Sequence, residues 1–268
     1  MRLRKQLLTR NDCYQTGRTI SVKGVMVHST GANNPRVCRY VPGDDEMGRN
    51  TAGNHWDRPG LTKCVHAFVG RFADGEIGTV QTLPWNHRGW HAGGAANNTH
   101  ISFEICEDGL EDPAYFSKVY QEAAELTAML CETYGLDPLS DGVVICHQEG
   151  YQRGVASNHA DVLHWFPKMG RSMDDFRAEV ARLLEQNQEE TPDPDDPEEC
   201  EGGDDTVTYE QWKQFMDRYR QELSQIPGPD WGQKELEQAV AQGFTDGSRP
   251  QDLASRQEVI SMVLRAIT

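Results

Sequence analysis

The chain has few basic side chains for its acidic content, with 26 Lys and Arg against 42 Asp and Glu in 268 residues and a net charge of −16. Ten of the carboxylates stand in residues 189–205, which contain no Lys or Arg, so subtracting them leaves −6 for the rest. Nucleic-acid binding depends on cationic side chains that neutralise phosphates, so this balance argues against a nucleic-acid partner. There is also no polybasic patch for a membrane surface.

Long hydrophobic runs are missing as well. No stretch approaches the twenty consecutive apolar residues that cross a bilayer. The first residues, MRLRKQLLTRNDCYQTG, begin with positive charge but lack the apolar core of a secretory signal. We therefore expect synthesis in the cytoplasm, and action outside the cell only after release by a separate membrane-permeabilising partner.

Cysteine gives no sign of a disulfide framework. The chain has seven cysteines, an odd number, widely spaced and with no C-x-x-C pair. This pattern is typical of reduced thiols. Cys106 and Cys146, which stand among Ile and Val, are interpreted as small buried apolar residues.

Several stretches have the pattern of β-strands. Residues 20–30 (ISVKGVMVHST) alternate roughly between apolar and polar side chains, and this pattern breaks at Gly31. Residues 63–83 indicate two strands around an Asp74-Gly75 turn. Alternation in HISFEICED predicts one face with Ile101, Phe103 and Ile105 and another with Ser102, Glu104 and Cys106.

Helical spacing of apolar residues appears between the strands. Residues 113–134 have this spacing and end at Gly135. After the short apolar strand GVVICH, a second helix is expected to begin at Ser172, with Asp175 in the reciprocal capping position. Strands that alternate with helices predict an α/β sheet covered by helices.

Composition divides the chain near residue 187. Residues 188–206 are charged and Pro-rich and cannot bury enough apolar surface to offset the entropy of ordering, so we expect a flexible linker. Beyond it, one helix stripe is expected, and its members are Trp212, Phe215, Met216 and Tyr219. Residues 231–241 and 255–266 are predicted to form two more short helices. These features predict a large domain over residues 1–187 and a small helical module over residues 207–268.

Histidines are crowded into ICHQEGYQRGVASNHADVLHWF, residues 145–166. His147 ends the strand GVVICH, as His28 ends the strand in VMVHST, and a lone histidine in such a place is more often structural than a ligand. His159 and Asp161 follow in a short polar loop, and this favours a metal site. A catalytic zinc takes three protein ligands from imidazole and carboxylate groups and leaves its fourth position to water.

The sequence resembles the zinc-dependent N-acetylmuramoyl-L-alanine amidases of the type 2 family, which are related to peptidoglycan recognition proteins, and in particular the endolysins of phages and prophages. The resemblance covers about residues 18–185. It rests on the order of five motifs: VMVHST, HAFVG, QTLPWNHRGWHAG, NNTHISFEICED and CHQEGYQRGVASNHADVLHWF. It implies a central mixed β-sheet flanked by helices and hydrolysis of the bond between N-acetylmuramic acid and L-alanine.

The resemblance also implies one zinc ion held by His28, His147 and Asp161, with His159 as the rival third ligand. Glu104 matches the family's catalytic glutamate, which passes a proton from water to the leaving amine. His159 is expected to face the substrate and to stabilise negative charge on the carbonyl oxygen. Some members have a tyrosine before the histidine of VHAFVG, and Val65 stands there in this chain.

Other family positions surround the expected site. His66 is expected to orient a ligand or to pack the floor of the site. The motifs RGWHAGG and NNTH resemble the rim that contacts glycan and stem peptide, with Trp90 stacking on a sugar and His91, Asn97 and Asn98 bonding to amides. For the asparagines, loop residues that satisfy backbone groups are the alternative.

The last segment, WGQKELEQAVAQGFTDGSRPQDLASRQEVISMVLRAI, resembles one S-layer-homology-like unit. Such a unit implies binding to a cell-wall polymer. The alternative is a helical packing or oligomerisation module, and a second copy of the chain would supply the missing apolar surface.

We expect a wall-lytic amidase of the endolysin type with peptidoglycan as substrate. One competitor is a noncatalytic peptidoglycan-binding protein of the same fold, which would be expected to lack a ligand or the glutamate. Another is a cytoplasmic amidase that recycles soluble muropeptides. The linker and the extra module weigh against it, because a soluble substrate needs no anchoring.

Overall fold

A computed structural model describes residues 1–189, 209–225 and 233–245. The chain divides into two compact units, Met1–Asp195 and Asp196–Thr268. Almost all of the predicted linker, residues 188–206, lies outside the described residues. The predicted helix over residues 255–266 lies wholly outside them. No helix in the described part of the chain is long and apolar enough to cross a membrane.

The first unit is built on a six-stranded mixed sheet with the order β1-β4-β3-β5-β2-β6. The strands are β1 (Leu3–Lys5), β2 (Gly24–Asn33), β3 (Ala67–Arg71), β4 (Ile77–Gln81), β5 (His100–Glu107) and β6 (Val144–Cys146). Only β3 and β4 pair antiparallel, and Gly75 with φ +87° lies in the turn that joins them. The predicted hairpin is confirmed.

Helices complete this unit. They are α1 (Asp12–Gln15), α2 (Pro113–Tyr134), α3 (His147–Gln152) and α4 (Met173–Glu189). Short 3-10 turns occupy Val37–Arg39, Ala95–Asn98 and Phe166–Met169. The predicted α/β fold class, a mixed sheet flanked by helices, is confirmed.

Local chemistry fixes the bounds of the two long helices. The carboxylate of Asp112 accepts from the backbone N–H groups of Ala114 and Tyr115, and Gly135 ends α2 in the left-handed region, as predicted. The Ser172 hydroxyl accepts from the Asp175 N–H at 3.1 Å while the Asp175 carboxylate accepts from the Ser172 N–H at 2.8 Å. This reciprocal pair is the predicted capping box.

The sheet separates two apolar clusters. On one side α2 and α4 cover the alternate β5 residues Ile101, Phe103 and Ile105, and the fully buried Trp165 and Phe176 belong to the same cluster. A second cluster contains Val37, Tyr40, Phe68, Phe72 and Cys106. The two faces of β5 therefore go to different environments, as its alternation predicts.

Two strand predictions need correction. The first concerns His147, which does not end a strand but is the first residue of α3, so residues 145–166 are partly helical rather than one loop. The second concerns β2, which continues past Gly31 to Asn33, although its register against β5 shifts between Ser29 and Asn33. Gly31 has φ +59° and marks this irregularity.

In the second unit, the described residues form α5 (Tyr209–Gln225) and α6 (Gln233–Ala241). The predicted stripe does fall on one helix, α5. Its Trp212, Phe215 and Tyr219 side chains are about half exposed, at 51%, 50% and 51%. The second helix of the S-layer-homology-like match lies outside the described residues.

Candidate metal centre

Three side chains bring donor atoms together beside β2. The Nδ1 atoms of His28 and His147 are 3.0 Å apart, and Asp161 Oδ2 lies 3.2 Å from the first and 3.4 Å from the second. Both imidazoles are buried, and the Asp161 side chain is 19% exposed. Among the described residues, no other set of three His, Cys, Asp or Glu side chains converges in this way.

Strand pairing explains why the two histidines meet. Strands β2 and β6 are parallel neighbours with Val27 opposite Cys146, and the residue that follows each of these two is a histidine, His28 in β2 and His147 at the start of α3. The Glu149 carboxylate accepts from the Cys146 N–H at 2.9 Å and fixes the start of α3. Asp161 reaches the pair from the segment that follows α3.

The spacing of the donor atoms fits a tetrahedral metal ion. Zinc binds nitrogen and oxygen at about 2.0–2.2 Å, so two ligands on a regular tetrahedron are about 3.3–3.6 Å apart. The observed separations of 3.0, 3.2 and 3.4 Å are close to one face of such a tetrahedron. Two imidazoles and one carboxylate thus match the donor set of a catalytic zinc and leave a fourth position.

The ionisation states also suit a metal. Burial alone would raise the pKa of Asp161, but its interactions with the His147 and His28 side chains hold that pKa well below its usual range. Burial lowers the pKa of His28. At neutral pH the carboxylate is therefore charged and His28 is neutral, which are the forms that bind metals.

Glu104 lies next to the donor cluster. It stands opposite His28 in the register of β2 and β5, and its buried Oε2 atom has no hydrogen-bond partner within the described part of the chain. Burial and the negative charge of Asp161 raise the pKa of Glu104 well above its ordinary value. A carboxyl group with these properties beside a metal site is a candidate proton carrier.

The outer nitrogens of the two histidines have partners of their own. His28 Nε2 lies 3.0 Å from His91 Nδ1, and His147 Nε2 lies 3.2 Å from the Ser157 hydroxyl. That hydroxyl donates to the Ala92 carbonyl at 3.2 Å. His91 and Ala92 both lie in the loop that contains the WHAG motif.

His66 lies deeper in the protein. Its Nε2 atom donates to the His87 carbonyl at 2.7 Å, and its Nδ1 atom accepts from the Ser102 N–H at 3.0 Å. Burial lowers the pKa of His66 to about 4, so the ring is neutral. Both nitrogens of His66 are thus engaged within the protein, and its ring centroid is 6.3 Å from that of His91.

The expected rim residues separate into two groups. Trp90 is 48% exposed, with the Arg88 guanidinium 4.9 Å from its ring centroid, and exposed Asn98 accepts from Arg88 at 2.7 Å. Asn97 instead is 1% exposed, and its amide oxygen accepts from the backbone N–H groups of His91 and Ala92, both at 2.9 Å. Asn97 thus has the alternative role of satisfying backbone groups.

His159 stands at the edge of the donor cluster. It is exposed, and its ring centroid lies 4.7 Å from that of His147 at an angle of 47°. Asp161, and not His159, completes the converging set of donor atoms.

Comparison with protein families gives one match over residues 17–162, more than half of the chain. The matching model describes the N-acetylmuramoyl-L-alanine amidases, Amidase_2. The chain belongs to this family. The matched range contains all three converging donors and Glu104, and the family resemblance of the motifs is confirmed.

Solved structures that are similar to this chain include AmiA and PlyL. The Staphylococcus aureus hydrolase AmiA, in complex with its ligand, is 17% identical over 70% of this chain and 86% of that chain, with a TM-score of 0.52. PlyL is 22% identical over 67% of this chain and 97% of that chain, with a TM-score of 0.49. No curated protein matches the chain significantly in sequence.

Family membership makes peptidoglycan the substrate class of the amidase and hydrolysis of an amide bond its activity. The sequence missed two features of the site. One is Ser157, which contacts His147 but has no sequence pattern that sets it apart from other loop serines. The other is the direct contact between His91 and His28. The motif WHAG indicates that His91 lies near the site, but it does not show that His28 is its partner.

Proposed function

We propose that this protein is a zinc-dependent endolysin-type amidase that cleaves the amide bond between the lactyl group of N-acetylmuramic acid and L-alanine. The observation that carries the proposal is the tetrahedral spacing of the donors on His28, His147 and Asp161, with the buried Glu104 carboxyl beside them. When bound there, zinc supplies a Lewis acid that makes water reactive near neutral pH.

In this proposal Glu104 carries the proton. It takes a proton from the attacking water and delivers it to the nitrogen of the leaving L-alanine. Its Oε2 atom has no hydrogen-bond partner among the residues that the structure describes and is therefore available for this exchange. Proton transfer by a positioned side chain contributes about 10²–10⁴-fold to a rate.

His159 is proposed to act on the carbonyl oxygen of the scissile bond. It is exposed beside His147, so it can approach the substrate without being a ligand. A hydrogen bond from its ring would stabilise the negative charge that develops on that oxygen. Trp90 and Asn98 are the exposed rim residues proposed to contact glycan and stem peptide, since a large aromatic face packs well against a sugar ring.

The domain organisation is proposed from composition. Residues 1–187 would hold the catalytic site, residues 188–206 would be a linker, and residues 207–268 would bind a cell-wall polymer or a second copy of the chain. The half-exposed aromatic side chains of α5 support an interaction role for this module. Release through a membrane-permeabilising partner would give the enzyme access to the wall.

The test is mass spectrometry of purified cell wall after digestion, with the Glu104→Gln variant as matched control. The proposal predicts new free amino groups on L-alanine and intact glycan strands. Turnover of isolated muropeptides without attack on intact wall would favour a recycling amidase. Binding to wall without any released amine would favour a noncatalytic recognition protein.

A further inference from the structure

One loop supports both imidazoles of the candidate metal centre. His91 Nδ1 lies 3.0 Å from the outer nitrogen of His28, Nε2. The neighbouring Ala92 carbonyl accepts a hydrogen bond from the Ser157 hydroxyl, which also contacts His147. Two ligands from different elements, His28 on β2 and His147 at the start of α3, thus depend on two consecutive residues of a third segment.

The direction of the first contact follows from the chemistry of imidazole. His28 presents Nδ1 to the other donors, so Nδ1 must keep its lone pair when it binds a metal. A neutral ring then has its proton on Nε2, and this N–H donates to His91 Nδ1. His91 therefore favours the one tautomer of His28 that can bind the metal.

Asn97 holds the loop in place for this contact. Its side chain is buried, and its single amide oxygen accepts from the backbone N–H groups of both His91 and Ala92. A side chain that fixes two consecutive peptide groups also fixes the direction in which His91 leaves the backbone.

A direct substrate contact by His91 does not fit this arrangement. Its Nδ1 is engaged with His28, and its Nε2 is buried without a hydrogen-bond partner among the described residues. A buried N–H without a partner costs about 1–3 kcal/mol, so packing alone would favour an apolar side chain here. The contact with His28 gives a reason for an imidazole at this position.

We propose that His91 is a positioning residue for the metal centre and that Asn97 holds it there. The proposal rests on the zinc site of the proposed function. Groups that bond to metal-ligating histidines typically change metal affinity by about 10–100-fold when they are removed.

Two substitutions at residue 91 separate the hydrogen bond from the bulk of the side chain. His91→Leu removes the acceptor, whereas His91→Asn keeps an oxygen at the position of Nδ1. Zinc affinity would be measured by competition with a chromogenic chelator, and folding by circular dichroism of the metal-free proteins. We expect His91→Leu to weaken zinc binding by about 10–100-fold and His91→Asn to recover most of that loss.

A second measurement avoids substitution altogether. In the zinc-loaded wild-type protein, nitrogen NMR should show the His28 proton on Nε2 and a scalar coupling across the bond to His91 Nδ1. His55→Leu is the control for loss of a histidine elsewhere, since His55 contacts the Asp57 N–H and not the metal centre.

The outcomes distinguish this inference from the function on which it rests. Native zinc affinity in a folded His91→Leu variant, or a His28 proton on Nδ1, would overturn the role of His91 and leave the amidase proposal intact. A wild-type protein that binds no zinc would overturn the zinc site itself.

Discussion

His28 and Glu104 stand opposite each other on the parallel neighbours β2 and β5. Residues paired in this register point to the same face of a sheet, so a metal-ligating imidazole and the candidate proton carrier are placed together by backbone hydrogen bonds. A slip of one residue would send one of the two side chains to the opposite face. The placement of His28 beside Glu104 thus depends on the register of the sheet.

This pairing makes Glu104→Gln an informative substitution. Gln has nearly the same shape as Glu but cannot carry the proton, so we expect turnover of cell wall to fall at least 100-fold while bound zinc is retained. Amine release would be measured alongside zinc content by elemental analysis.

Glu111 is exposed, so the Glu111→Gln variant is the matched control and should keep native activity. Near-native turnover in the Glu104→Gln variant would remove this glutamate from the proposed mechanism, whereas loss of zinc would mean that it supports the metal site instead.

Metal removal tests the donor cluster as a whole. Exhaustive chelation should abolish activity, and added zinc should restore it, because activation of water depends on the ion. His28→Ala should leave no stoichiometric zinc, since two donors cannot hold the ion in the way that three do. Full activity after chelation, in protein without metal by elemental analysis, would contradict the proposed chemistry.

The choice of third ligand gives a separate prediction. Asp161→Ala should lose zinc and activity together. His159→Ala should keep zinc and lose about 100-fold in turnover, the usual loss when one donor to a developing oxyanion is removed. If His159→Ala loses the metal and Asp161→Ala keeps it, the roles of the two residues are exchanged. Zinc titration of both variants at one pH decides between them.

The sequence predicted much of the fold because its signals were local. The helix over residues 113–134 and the turn at Asp74-Gly75 follow from spacing, caps and turn residues that act within a few positions. The start of α3 at His147 was missed because the stabilising contact, Glu149 to the Cys146 N–H, is a side-chain cap that follows an apolar run without a loop.

The site was only partly predictable because many of its contacts are not local in sequence. Strand ends and a histidine-rich loop indicated which residues form the centre, but the partners of their outer nitrogens come from residues far away in sequence. His91 is 63 positions from His28, and Ala92 is 65 positions from Ser157. Such contacts depend on the packing of the whole sheet, so single-sequence patterns cannot show them.

The C-cap of α2 provides a test of stability that leaves the site untouched. Gly135 has φ +61°, and an added Cβ would meet no atom within 4 Å, so Gly135→Ala has only a conformational cost, about 1 kcal/mol. For a domain of this size such a loss lowers the melting temperature by about 2–4 °C.

Gly135→Asn should lose less stability, because Asn tolerates the left-handed region. Gly24→Ala should lose more stability than either, since its Cβ would overlap the Val143 carbonyl oxygen. Thermal unfolding of the three variants checks this order. If Gly135→Ala is the most harmful of the three, the left-handed cap contributes more to α2 than its backbone geometry indicates.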